Sequence, residues 1–124
     1  MRSRWMTRWM VMGTVVCSIA AVGTVSAADA AGADREALVS KAVNFLRTRQ
    51  GEDGAFAKET GPAITALVAT GLLKQGRTTS DPMVSKALAY VEKFVRDDGG
   101  IYQDGSTHKN YETCIAILAF TEAN

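Results

Sequence analysis

The stretch Lys-Ala-Val-Asn-Phe-Leu at residues 41–46 decides the fold, because a close copy, Lys-Ala-Leu-Ala-Tyr-Val, stands at residues 86–91. The apolar positions of both copies are spaced as on one face of a helix, and polar residues take the other face. Each copy is followed by an Asp-Gly turn and then by a nearly uncharged segment that starts a second helix. The sequence therefore predicts two copies of one helical hairpin, a pattern typical of repeat architectures.

The turns and second helices of the two hairpins also align. Asp-Gly-Ala-Phe at residues 53–56 matches Asp-Gly-Gly-Ile-Tyr at residues 98–102 if one residue is inserted, which sets Phe56 against Tyr102. We expect both rings to be buried over the helix ends beside a tight Asp-Gly reversal. The second helices align through residues 65–69 and residues 113–117.

Four helices are predicted, in the order amphipathic, apolar, amphipathic, apolar. The first spans about residues 35–49, and the fourth includes an uninterrupted apolar run at residues 114–120. One helix of each hairpin should face solvent and the other should lie inside, so the fold class is all-α with two layers. The predicted helix starts and stops are Asp34, Gly61-Pro62, Gly76, Asp81-Pro82 and Asn110.

The N-terminal segment, residues 1–27, has the composition of a secretory signal peptide. It holds three arginines and no acidic residue, and no charge occurs from Trp9 to Ala28. Val25-Ser26-Ala27 supplies small residues for cleavage after Ala27, so we predict export to the periplasm or the extracellular space. The alternative is an N-terminal membrane anchor. Residues 28–36 should be a linker, and Cys114 should be a buried small hydrophobe.

The repeat motif resembles that of terpenoid (squalene) cyclases and protein prenyltransferase β-subunits, the prenyltransferase/squalene oxidase repeat. Residues 41–56 fit it with Phe56 in place of tryptophan, and the second copy lacks the glutamine. The resemblance covers about residues 37–124, as repeat one (about 37–76) and repeat two (about 81–124). The matching positions are Lys41, Phe45, Gln50, Asp53, Gly54, Phe56, Lys86, Tyr90, Asp98, Gly99, Gly100 and Tyr102.

The resemblance implies an α/α toroid, of which two hairpins would be the N-terminal part. It makes the motif a structural clasp, and we predict no catalytic residue, cofactor or metal ligand in this chain. The Asp-x-Asp-Asp run that cyclases use for protonation is missing, and Asp97-Asp98 lies in a turn. His108 and Cys114 have no matched aspartate for a zinc site, which needs three protein ligands.

Two function classes stay open on the sequence. One is an exported repeat protein that binds a ligand or partner, or acts as a structural module. The other is the N-terminal part of a cyclase-like, prenyltransferase-like or polysaccharide-degrading enzyme whose catalytic residues lie beyond Asn124. We expect further repeats of the same chain or self-association through the apolar fourth helix, and a hydrophobic or carbohydrate ligand. The formal net charge of +1 argues against a nucleic-acid partner.

Overall fold

The computed structural model describes residues 27–124, and the regular elements of that part are helical. The extended backbone there is limited to one isolated antiparallel bridge between Val95 and Ile101. This confirms the all-α prediction for the described residues. The helices are α1 (Ala27–Arg47), α2 (Pro62–Lys74), α3 (Pro82–Glu92) and α4 (Lys109–Ala123), with a short 3₁₀ helix at Lys58–Thr60.

Helix α1 begins earlier than predicted. Asp34 is not its N-cap, and the predicted linker at residues 28–36 lies inside the helix, which runs from Ala27 to Arg47. Alanine has the highest helix propensity, and five alanines stand between positions 27 and 33. Their preference outweighs the cost of about 1 kcal/mol for Gly32 in a helix interior. The rest of the predicted signal peptide, residues 1–26, lies outside the described residues.

Helices α2 and α3 start as predicted. Gly61 precedes Pro62 at the N-terminus of α2, where proline loses no helical hydrogen bond. Asp81 caps α3, because its carboxylate accepts a hydrogen bond of 2.8 Å from the amide of Met83. Helix α4 differs from the prediction: it begins at Lys109, so Asn110 lies within its first turn instead of capping it.

The end of α2 confirms the predicted glycine stop. Gly76 has φ of 80°, a left-handed conformation that glycine adopts without strain. Its amide donates to the carbonyl of Leu73 at 2.9 Å, and the amide of Arg77 donates to the carbonyl of Leu72 at 3.2 Å. These two bonds form a Schellman motif, which satisfies carbonyls that the helix end leaves free.

Helix α2 is the centre of the packing. It contacts α4 most extensively and α3 next, whereas α3 and α4 touch each other at few positions. Ala66 and Ala69 of α2 and Ala116 and Ala119 of α4 are fully buried, so small side chains let the two helices approach closely. Most of the packing therefore joins repeat one to repeat two. The core consists of Val43, Ala66, Ala69, Leu72, Met83, Val84, Ala87, Leu88, Val91, Ile101, Ala116 and Ala119.

Candidate functional site

The two Asp-Gly turns of the repeat motif have the same hydrogen-bond pattern. In repeat one the amide of Ala55 donates to the Asp53 carboxylate at 3.2 Å, and in repeat two the amide of Gly100 donates to the Asp98 carboxylate at 2.9 Å. Both glycines after the aspartates have left-handed φ angles, 93° and 84°. Two further backbone bonds recur in the same register, Gly51 to Ala55 with Arg96 to Gly100, and Gly54 to Gly51 with Gly99 to Arg96.

Each turn is tied to its following helix by a threonine hydroxyl. The amide of Phe56 donates to Thr65 at 3.1 Å, and the amide of Ile101 donates to Thr113 at 3.0 Å. These bonds correct the sequence alignment: Ile101, not Tyr102, is the equivalent of Phe56, and no residue is inserted in the turn. The separations are 9 and 12 positions, so the three additional residues of repeat two lie in the loop that follows.

Two sequence offsets relate the equivalent residues of repeat one and repeat two. The first helix and turn of repeat one match repeat two at an offset of 45, as in Asp53 and Asp98. The second helix matches at an offset of 48, as in Thr65 and Thr113. The role of these threonines could have been suspected from their shared place at the start of each apolar helix. It was missed because their amide partners lie in a separate segment.

Gln50 is the motif residue that joins the repeats. Its side-chain amide donates to the carbonyl of Gly54 at 3.2 Å and to the carbonyl of Met83 in α3 at 2.8 Å. These bonds place Gln50 between its own turn and the first helix of repeat two. Gln50 is therefore a contact between repeats.

Tyr102 lies at the surface of the second turn, only half-buried. Its hydroxyl donates to the Asp98 carboxylate at 2.5 Å. This bond lowers the pKa of Asp98 and raises the pKa of Tyr102. The guanidinium of Arg96 and the ammonium of Lys109 lie 5.6 Å and 4.6 Å from the ring centroid. The prediction of a buried Tyr102 ring is wrong, and Ile101 is the residue that enters the core.

A buried carboxylate, Glu112, holds the longer loop of repeat two. It accepts a hydrogen bond of 2.7 Å from the amide of Gln103 and another from the hydroxyl of Ser106. A Cβ on Gly61 would lie 3.3 Å from the same carboxylate, so this loop packs beside the N-terminus of α2. The arrangement supports the loop.

The other polar residues that the sequence singled out do not converge. His108 is exposed at the N-terminus of α4. Cys114 is exposed as well, at an open hollow beside Asp98 and Tyr102, so the prediction of a buried thiol is wrong. Within residues 27–124, no three His, Cys, Asp or Glu side chains are grouped so that they could share a metal ion.

Two sets of exposed apolar side chains are the candidate interaction site. We name the first the α4 face, which consists of Tyr111, Cys114, Ile117 and Leu118. We name the second the α1–α2 face, which consists of Leu38, Phe45, Ile64 and Leu67. Contiguous exposed apolar patches mark sites of interaction with a protein, a membrane or a ligand. Helices α2 and α4 are apolar on nearly every side, yet the packing of residues 27–124 covers only part of each helix. The uncovered apolar part is available to a partner.

Comparison of the chain with protein-family models, curated proteins and solved structures gave no match. In the described part of the chain, no helix combines the length and apolar character that a bilayer span requires.

Proposed function

We propose that the chain is an exported repeat module without catalytic activity of its own, which binds an apolar protein surface through the α4 face and the α1–α2 face. In this proposal the two hairpins are part of an α/α toroid-type array, as the resemblance of the repeat motif to terpenoid cyclases and prenyltransferase β-subunits implies. Export follows from the composition of residues 1–27.

The observation that carries the proposal is the exposure of Ile117 and Leu118 in the middle of α4. Each is about half exposed, although both belong to an apolar run that a folded protein normally covers. A Leu or Ile side chain that moves from water into a packed interface contributes about 1.5–3 kcal/mol. Burial of these two neighbouring side chains by a partner would therefore contribute favourably to binding, and their exposure to water forgoes that free energy.

The proposal is tested with the purified protein and the apolar dye ANS, at a dilution at which sedimentation velocity shows single chains. We expect the wild-type chain to increase the dye fluorescence, and the double variant Ile117→Lys/Leu118→Lys to lose the part of that increase that the α4 face contributes. Ala89→Lys is the matched control, because Ala89 is exposed on α3 outside both faces and its counterpart Asn44 is exposed too. A sharply melting single chain that does not bind the dye contradicts the proposal.

A further inference from the structure

We propose that the chain associates head to tail with a second copy of itself, so that the α4 face of one copy packs against the α1–α2 face of the next. The register is the one that repeat one already takes against repeat two inside a single chain. This inference rests on the proposed function and names its partner. The contact between repeat one and repeat two within the chain is the template for the contact between copies. The α4 face corresponds to the side that repeat one contributes to it, and the α1–α2 face to the side that repeat two contributes.

The α4 face matches the part of repeat one that is buried against repeat two. At the offset of 48, Ile117 corresponds to Ala69 and Leu118 to Thr70. Ile117 is 53% exposed, whereas Ala69 is fully buried, and Thr70 is buried as well. Cys114 follows the same rule, because it is exposed and its counterpart Ala66 is fully buried. Helix α4 therefore leaves open the positions that α2 covers with the following repeat.

The α1–α2 face matches the part of repeat two that is buried against repeat one. At the offset of 45, Phe45 corresponds to Tyr90, and their exposed fractions are 56% and 4%. Leu38 is likewise exposed while its counterpart Met83 is buried. On the second helices, Ile64 is exposed and its counterpart Glu112 is buried. Gln50 of repeat one bonds to the carbonyl of Met83, and Glu112 lies beside Gly61 of repeat one as well as against its own loop. The counterparts of these two positions, Leu38 and Ile64, are exposed.

The second turn is also open where the first turn is occupied. A Cβ on Gly54 would lie 2.2 Å from the carbonyl oxygen of Lys86, so the first turn lies directly against α3. A Cβ on Gly99, the counterpart, would meet no atom within 4 Å. In the proposed contact Gly99 approaches Lys41 of the second copy. Val95, the exposed counterpart of Gln50, then lies near Leu38 of that copy.

Charge complementarity favours head-to-tail association over a parallel pairing of two α4 faces. Lys74 of α2 and Glu122 of α4 form an ion pair of 2.5 Å. They occupy equivalent positions, since both stand near the ends of the second helices at the offset of 48. In a head-to-tail stack Glu122 of one copy faces Lys74 of the next, and the charges alternate. A symmetric pairing with the two α4 helices parallel would place Glu122 beside Glu122.

A head-to-tail contact uses two different surfaces, so the stack retains one free face at each of its two ends. Such heterologous contacts produce closed rings or open chains of copies, whereas a symmetric contact stops at the dimer. The proposal therefore predicts assemblies larger than two chains, and it predicts that blocking either face stops their growth.

The test is sedimentation velocity on the purified chain and two single variants, Phe45→Lys on the α1–α2 face and Ile117→Lys on the α4 face. We expect the wild-type mass to rise above that of a dimer with concentration. Each variant alone should sediment as a single chain, because its only intact face has no complement. An equimolar mixture should form a 1:1 dimer through the remaining pair of intact faces. Circular dichroism of both variants checks the fold, and Ala89→Lys should assemble like the wild type.

Gly99→Ala adds a test that does not introduce a charge. It should weaken assembly at least tenfold, because the new Cβ meets the backbone of the second copy as a Cβ on Gly54 would meet Lys86. Continued self-association of Phe45→Lys, or a mixture that stays monomeric, overturns the head-to-tail arrangement. A wild-type chain that is monomeric but binds ANS overturns self-association and leaves the proposed function standing. A monomer without dye binding overturns both.

Discussion

Gly54 lies so close to Lys86 that any side chain on the glycine would meet the lysine backbone. A Cβ would be 2.2 Å from the carbonyl oxygen and 2.7 Å from the carbonyl carbon. The φ angle of 93° independently favours glycine at this position. Gly54 thus allows the chain to reverse direction in the first turn, and it also allows α3 of repeat two to pack directly against that turn.

Gly54→Ala should be clearly more destabilising than Gly99→Ala. Both substitutions force a left-handed alanine, at about 1–2 kcal/mol each. Only the change at Gly54 also drives a methyl group into backbone, which adds about 1–3 kcal/mol. Urea unfolding, at a protein concentration low enough that the chain is monomeric, measures the difference in the free energy of unfolding between the two variants. Equal losses for the two variants would show that the first turn does not lie against α3.

The three residues at the ends of the turns should respond to alanine in a definite order. Ile101 is buried in the core, so Ile101→Ala should cost about 2–5 kcal/mol. Phe56 packs against the core while half-buried, and Phe56→Ala should fall in the same range. Tyr102→Ala removes a surface ring and should cost about 1 kcal/mol or less. A Tyr102→Ala variant that melts below Ile101→Ala would restore the original alignment of Tyr102 with Phe56.

The N-cap of α3 gives a third prediction. Asp81→Ala should lower stability by about 1 kcal/mol, because the amide of Met83 loses its acceptor. Asp81→Asn keeps a capping oxygen and removes only the ion pair with Arg77, so it should lose less stability than Asp81→Ala. Thermal melts compare both with Thr79→Ala, an exposed neighbour. If Asn is as destabilising as Ala, the ion pair and not the cap stabilises this end of α3.

Acid titration should reveal the bond between Tyr102 and Asp98. The hydroxyl donated by Tyr102 lowers the pKa of Asp98 in the folded state. Its stabilising contribution is therefore complete above the unfolded pKa of about 4 and is lost as the pH falls through the lowered folded value. Tyr102→Phe should return the pKa of Asp98 toward its usual range, as followed by carboxyl NMR.

Asp81 is the internal control for that titration. The pKa of Asp81 is also lowered, chiefly by the hydrogen bond from the amide of Met83, which Tyr102→Phe does not touch. The titration of Asp81 should therefore stay in place in the variant. An Asp98 titration that does not move would show that the hydroxyl bond is absent in solution.

Processing of the N-terminus is a fifth prediction. If residues 1–27 are a cleaved signal peptide, mass spectrometry of the exported protein should find Ala28 as the first residue. Changing Ala27 to a bulky residue such as Tyr should block the cleavage. A mature protein that retains residues 1–27 would favour the membrane-anchored alternative.

Several local signals in the sequence predicted the structure, but those at Asp34 and Asn110 did not, because both residues lie inside their helices instead of capping them. Signals that depend on distant residues also failed. Asp81 and Gly76 act through bonds within a few residues, and both have the predicted roles. The match of Phe56 to Ile101 depends on threonines 9 and 12 positions away, so a letter-by-letter alignment chose Tyr102 instead. Cys114 looked buried because the residues around it are apolar, yet burial depends on which helix packs there.

The dominance of contacts between repeats has a consequence for the folding pathway. Helix α2 gains most of its packing from α4 and α3, which belong to the next repeat and are made after it in the chain. A single hairpin that forms first is therefore stabilised by few contacts. The apolar helix of repeat one is packed only once the helices of repeat two have formed. Helical proteins rich in local contacts fold within microseconds to milliseconds, and longer loop closures slow that step. The domain should accordingly fold in one late, cooperative event, with neither hairpin persisting as an intermediate.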